Sequence, residues 1–202
     1  SQSQAPLSDQ QLNSLVSPIA LYPDSLVSQI LMASTYPLEV AEAATWQKQN
    51  SRLTGSALDS ALQSQNWDPS VKSLVSFPQA LQMMGSDLTW TQKLGDAVLA
   101  QQSDVMKAIQ TMRAKAKQAG NLSTTPQQTV STSGQNIIIQ PANPQVIYVP
   151  TYNPSVVYGP WPYPAYPPPP PYYPPGYVAG AELLSFGIGM AVGAALFGGM
   201  HW

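Results

Sequence analysis

The chain has 202 residues and a formal net charge of −2, and all eight Lys and Arg residues lie at or before Lys117. From Gln118 to Trp202 the only formally charged side chain is Glu182, so no basic patch is present to neutralise phosphates, and nucleic acid is not an expected partner. Cysteine is absent, which removes disulfides, thiolate metal sites and thiol catalysis together.

The chain starts SQSQAPLS without Met, the form left after removal of an export signal, so an exported protein is expected. Residues 1–121 read as a multi-helix head domain. Ser8 with Gln11 resembles a capping box opening a helix that carries Leu12, Leu15, Val16 and Ile19. Asp24, after Pro23, is placed to cap a second helix with Leu26, Val27, Ile30 and Leu31. Tyr36-Pro37 starts a third, with Val40, Ala43, Ala44 and Trp46. Thr54-Gly55, Asp68-Pro69 and Phe77-Pro78 start three more short helices. Asp87 caps the longest run, Leu88 to about Ala119, and Gly120-Asn121 stops it.

Residues 122–135 are rich in Ser, Thr and Gln and read as a linker. Residues 136–177 hold fourteen of the 21 prolines and two related units, NPQVIYVP from Asn143 and NPSVVYGP from Asn153. Proline fixes φ and lacks a donor, so this stretch is expected as short edge strands followed by a polyproline spacer that carries the head away from the tail. Val146, Tyr148, Val156 and Tyr158 are the residues expected to add strands to a neighbouring copy. The aromatic residues among the prolines admit three readings: packing on a neighbouring surface, an interfacial belt beside a membrane, or stacking on cell-wall glycan.

Residues 178–202 form a glycine-rich apolar tail. Leu183 to Met200 is uncharged and would run about 27 Å as a helix, enough to cross a thin bilayer core. Ser185, Gly189 and Gly193 lie four apart and would permit close helix contact, so they are expected in an oligomer interface. A second reading is a strand, because Phe186, Ile188, Met190 and Val192 alternate with small residues. The transmembrane helix is the preferred reading, since no turn divides the run. Glu182 would reach a headgroup region or, in an assembly, face a lumen. The fold class is therefore mainly α: a helical bundle, a short β and polyproline segment, and an apolar glycine-rich C-terminal segment.

The segments IALYPDSLVSQILMASTYPLEV, NWDPSVKSLVSFP, LGDAVLAQQSDVM and NPQVIYVPTYNPSVVYGPW resemble a bacterial family catalogued as domain of unknown function 3300. That resemblance covers nearly the whole chain. It implies an exported protein of Gram-negative bacteria, in the periplasm or outer membrane, and brings no catalytic residue with it.

Candidate chemistry is sparse. Glu39 with Glu42, and Asp96 with Asp104, are better read as solvated helix faces than as acid/base pairs. His201, the single histidine, has too few companions for a metal site, and no cofactor is expected. The expected function is a non-enzymatic envelope protein that forms a homo-oligomeric, membrane-associated scaffold or pore. The alternative is a monomeric protein that binds or processes cell-wall glycan.

Overall fold

In the computed structural model, which describes residues 5–177, 183–191 and 200–202, the helices begin where proline and short polar side chains interrupt the apolar pattern. The chain runs through α1 (Asp9–Val16), α2 (Asp24–Ala33), α3 (Pro37–Gln49), α4 (Gly55–Gln63), α5 (Pro69–Leu74), α6 (Pro78–Ser86) and α7 (Leu88–Gln118). Ser8 and Gln11 form the reciprocal capping box at the start of α1. Asp68 accepts from Ser70 N, and Asp87 from Trp90 N, so those two caps are made as the sequence suggests. Gly120, at φ 79°, closes α7, and Asn121 N–H donates back to Ala116 O at 2.9 Å.

Two expectations about the helices are corrected. Pro23, not Asp24, occupies the cap position of α2, and Asp24 is buried and engaged elsewhere. Helix α7 is not one regular run: Gln101 has φ −141° and ψ 45° and interrupts it. The Gln101 side chain accepts from Leu7 N at 2.8 Å and donates to Leu7 O at 3.1 Å. Gln110 treats Ile137 in the same way, accepting from its N–H at 2.7 Å and donating to its carbonyl at 3.0 Å. A glutamine amide matches the donor and acceptor of one peptide unit, so each clamps a flanking segment to α7.

The remaining elements are β1 (Gln128–Ser133), β2 (Asn136–Pro141), β3 (Val146–Ile147), β4 (Pro150–Tyr152), α8 (Pro154–Val157), β5 (Leu184–Phe186) and β6 (Met190–Ala191). They form three two-stranded antiparallel sheets, β1–β2, β3–β6 and β4–β5. The eight helices and short antiparallel strands make a mainly helical molecule with a helical N-terminal region. The stretch expected as a linker contains β1, which turns at Gly134 (φ 62°) into β2.

The Pro/Tyr segment is not a spacer. Ile137, Ile139, Ile147, Val149, Tyr152, Val157, Tyr158 and Tyr163 are buried in the same apolar cluster as Leu12, Ile30, Leu81 and Ile109. Proline bars these residues from a wide sheet but not from burial, and their side chains complete the helical core. Nor does the repeat in sequence repeat in structure. Asn143 and Asn153 each accept from the N–H two residues on, at 2.9 and 3.0 Å. After that shared turn Val146 enters a strand, whereas Val156 lies in the short helix α8.

The transmembrane helix expected in the tail is also corrected. Among the described residues no helix is long and apolar enough to cross a membrane. Leu184–Phe186 and Met190–Ala191 are strands paired with β4 and β3. The alternation of bulky and small residues set the local structure there, and glycine weakens a helix in water by about 1 kcal/mol per residue.

Candidate functional site

Arg113 lies on the apolar stripe of α7, beside Ile109, Met112 and Ala116, and is fully buried. Its guanidinium saturates its donors: Nη1 to Asp24 Oδ1 at 2.5 Å and to Ile137 O at 2.9 Å, Nη2 to Tyr22 O at 2.9 Å, Nε to Ala20 O at 2.8 Å. Asp24 completes its shell by accepting from Ile139 N at 3.2 Å and from the Trp202 indole at 3.0 Å. The Trp202 ring also covers the guanidinium, 4.9 Å from its carbon. Burial lowers the Arg113 pKa and Asp24 opposes that shift, as a paired buried cation requires. One ion pair thus ties α2, α7, β2 and the tail together.

Next to it lies an aromatic ladder. Tyr152 meets Tyr22 edge-on at 6.3 Å and Tyr158 at 6.2 Å, and Tyr158 leads through Trp161 to Tyr163. The hydroxyls of Tyr152 and Tyr158 both donate to Ser17 O, where the chain leaves α1. Tyr163 accepts from Asn13 Nδ2 at 2.8 Å. Burial raises the pKa of Tyr22, Tyr152 and Tyr158 above the ordinary phenol value. In the unfolded chain these phenols ionise near about pH 10. Their contribution to stability is therefore complete below that pH and is lost as pH rises toward the higher folded values. With three such groups the slope is about 4 kcal/mol per pH unit above that point. Circular dichroism and phenolate absorbance followed together should show one cooperative alkaline transition. Gradual ionisation with helicity retained would mean the rings are accessible to water.

The residues expected at an oligomer interface fall into separate groups. Val146, Tyr148 and Gly189 meet within one chain: a Cβ built on Gly189 would lie 2.5 Å from Val146 Cγ1 and 2.8 Å from Tyr148 Cζ. Phe186 sets its edge against Tyr148 at 6.5 Å, and Ser185 pairs in register with Thr151. Tyr158 is buried in the aromatic ladder, whereas Val156 is exposed. Gly193 and Glu182 lie outside the described residues, and with Glu182 the question of a lumen. An open cleft of about 710 Å³ lies between the loop after α7, including Asn121, Ser123 and Gln127, and β5.

The acidic candidates hold loops in place. Glu39 accepts from Asp68 N, and Glu42 from the Trp67 indole, both at 3.2 Å. Trp67 packs edge-on to Trp46 at 5.8 Å. Asp96 and Asp104 are exposed on α7, and His201 is exposed beside Trp202. Among the described residues no three His, Asp or Glu side chains converge as a metal site requires. Sequence reasoning missed the Arg113–Asp24–Trp202 node, although a lone arginine on an apolar helix face is itself the signal that a buried acid must face it.

The chain matches the family model described as "Protein of unknown function (DUF3300)" over residues 8–202. It is also similar to "Uncharacterized protein YacH" of Escherichia coli (strain K12), with 39% identity over 232 residues, covering 95% of this chain. The chain spans 37% of the length of that curated relative. No solved structure matches it.

Proposed function

The chain belongs to the DUF3300 family, and on that premise we propose that it is a non-enzymatic envelope protein that builds a homo-oligomeric scaffold through its Pro/Tyr segment and its tail. The observation that carries this reading is the set of unfinished sheets. The ladders β3–β6 and β4–β5 have two strands each, and beside them Ile188 is 88% exposed and Leu183 44% exposed. A two-stranded ladder is marginal in water, and its outer edges present unpaired backbone groups that another chain can satisfy. The almost uncharged C-terminal part also suits contact with a membrane surface, without a spanning helix. Export to the periplasm or outer membrane of a Gram-negative bacterium is the setting proposed for it, and rests on the family resemblance.

Light scattering over a concentration series tests the proposal. The expected particle exceeds the 21.7 kDa of one chain. Ile188→Lys, which adds charge at an exposed position, should reduce the particle mass and leave the circular dichroism unchanged. A mass equal to one chain at every concentration would remove the proposal. The alternative, a monomeric glycan-binding protein, draws support from Tyr173 and Tyr177, stacked at 4.7 Å and 2° with Tyr173 exposed. Retention of single-chain protein on insoluble cell-wall glycan would favour it.

A further inference from the structure

We propose that the acceptor surface made by β3, β4 and the Asp24–Arg113 pair takes the tail of a second copy, so that chains assemble by exchanging β5, β6 and Trp202. This inference rests on the assembly proposed above and names the segment that carries it.

The acceptor is built without the tail. Ile147, Val149, Thr151 and Tyr152 are buried, and Tyr152 is anchored to Ser17 O through its hydroxyl. Asp24 is already held by Arg113 and by Ile139 N. The described tail then attaches at three small points. Two residue pairs join β6 to β3, three join β5 to β4, and the Trp202 indole reaches Asp24. Ladders this short open at little cost compared with the core.

The fit is nevertheless specific. Only a residue without a side chain can sit at 189, because Val146 and Tyr148 occupy the space a Cβ would need. Phe186 finds the Tyr148 ring, and Trp202 finds both the carboxylate and the guanidinium. A surface shaped for this tail in its own chain is shaped equally for the tail of a neighbour. The contacts are identical in the closed and the exchanged forms, so their energies cancel. Chain entropy and protein concentration then set the balance. The tail follows a proline-rich connection from Trp161 to Tyr177, which is stiffer than a Gly/Ser linker and resists sharp reversal. That stiffness shifts the balance toward the neighbour.

The absence of cysteine makes a direct test available. Ile147 and Met190 are register partners across β3 and β6, within reach of a disulfide if both become cysteine. Ile147→Cys and Met190→Cys are made on separate full-length chains, mixed at high concentration, then oxidised. Exchange predicts a two-chain band on a non-reducing gel from the mixture, several-fold stronger than from either variant alone. Thr151→Cys with Ser185→Cys, register partners across β4 and β5, repeats the test should Ile147→Cys not fold. The idea is overturned if the mixtures stay single-chain while both cysteines on one chain close a bond within it. If wild-type protein is still multimeric by light scattering in that case, exchange fails and the assembly stands. A single-chain mass removes both.

Discussion

Arg113→Ala is expected to destabilise the fold by about 3–5 kcal/mol, because it leaves Asp24 as a buried charge without its partner. Domains of this kind have total stabilities of about 5–15 kcal/mol, so the loss is a large fraction of the whole. Three backbone carbonyls, of Ala20, Tyr22 and Ile137, would lose their donors at the same time. Urea unfolding should show a lower midpoint with little change in slope. A double change, Arg113→Met with Asp24→Leu, separates two accounts. If the penalty comes from the uncompensated charge, the double variant recovers part of the stability lost by Arg113→Ala. If it comes from the carbonyls, the double variant is no better. An Arg113→Ala protein as stable as the parent would mean that water reaches Asp24, against its burial here.

Gly95→Ala is the second change with a large expected effect, and its sign is the test. Alanine is favoured over glycine by about 1 kcal/mol in a helix interior, so propensity predicts stabilisation. The structure predicts the reverse. A Cβ on Gly95 would lie 2.0 Å from Ser34 O and 2.6 Å from Ser34 C. Those are backbone atoms in the turn between α2 and α3, and no side-chain rotation relieves the contact. Either α7 or the turn must shift, and overpacking of this kind costs typically 1–3 kcal/mol. Asp96→Ala, at the exposed neighbouring position, reports the propensity gain without the contact. Thermal unfolding should place Gly95→Ala below the parent and Asp96→Ala at or above it. A stabilised Gly95→Ala would show that α7 does not approach the turn so closely.

Much of the helical head was legible because its signals are local. Ser8 with Gln11, Asp68-Pro69 and Asp87 act over three or four residues, and proline restricts its own φ wherever it stands. The starts of α1, α3, α5, α6 and α7 follow from such signals. The tail was misread as a helix because both periods are present between Ser185 and Gly193. Nothing local reveals that Pro150–Tyr152 and Val146–Ile147 wait as partners some forty residues earlier. The candidate site shows the same division. Val146, Tyr148 and Gly189 were singled out from β-branching, aromaticity and smallness, and they do meet. Their meeting within one chain depends on a path that composition does not encode. The Asp24–Arg113–Trp202 node joins residues separated by 89 and 178 positions, beyond the reach of any spacing rule.

By itself the sequence determined where backbone hydrogen bonding must stop and restart, where charge could not be buried in bulk, and which chemistries were absent for want of cysteine and histidine. Those properties belong to each residue and its immediate neighbours, so they survive in any fold. Only the tertiary structure decided that the proline-rich segment enters the core, that a lone arginine acquires a buried acid, and that the tail forms strands. Each of those outcomes depends on the desolvation and pairing of groups brought together from distant positions, and pairing energy exists only once both partners are in place.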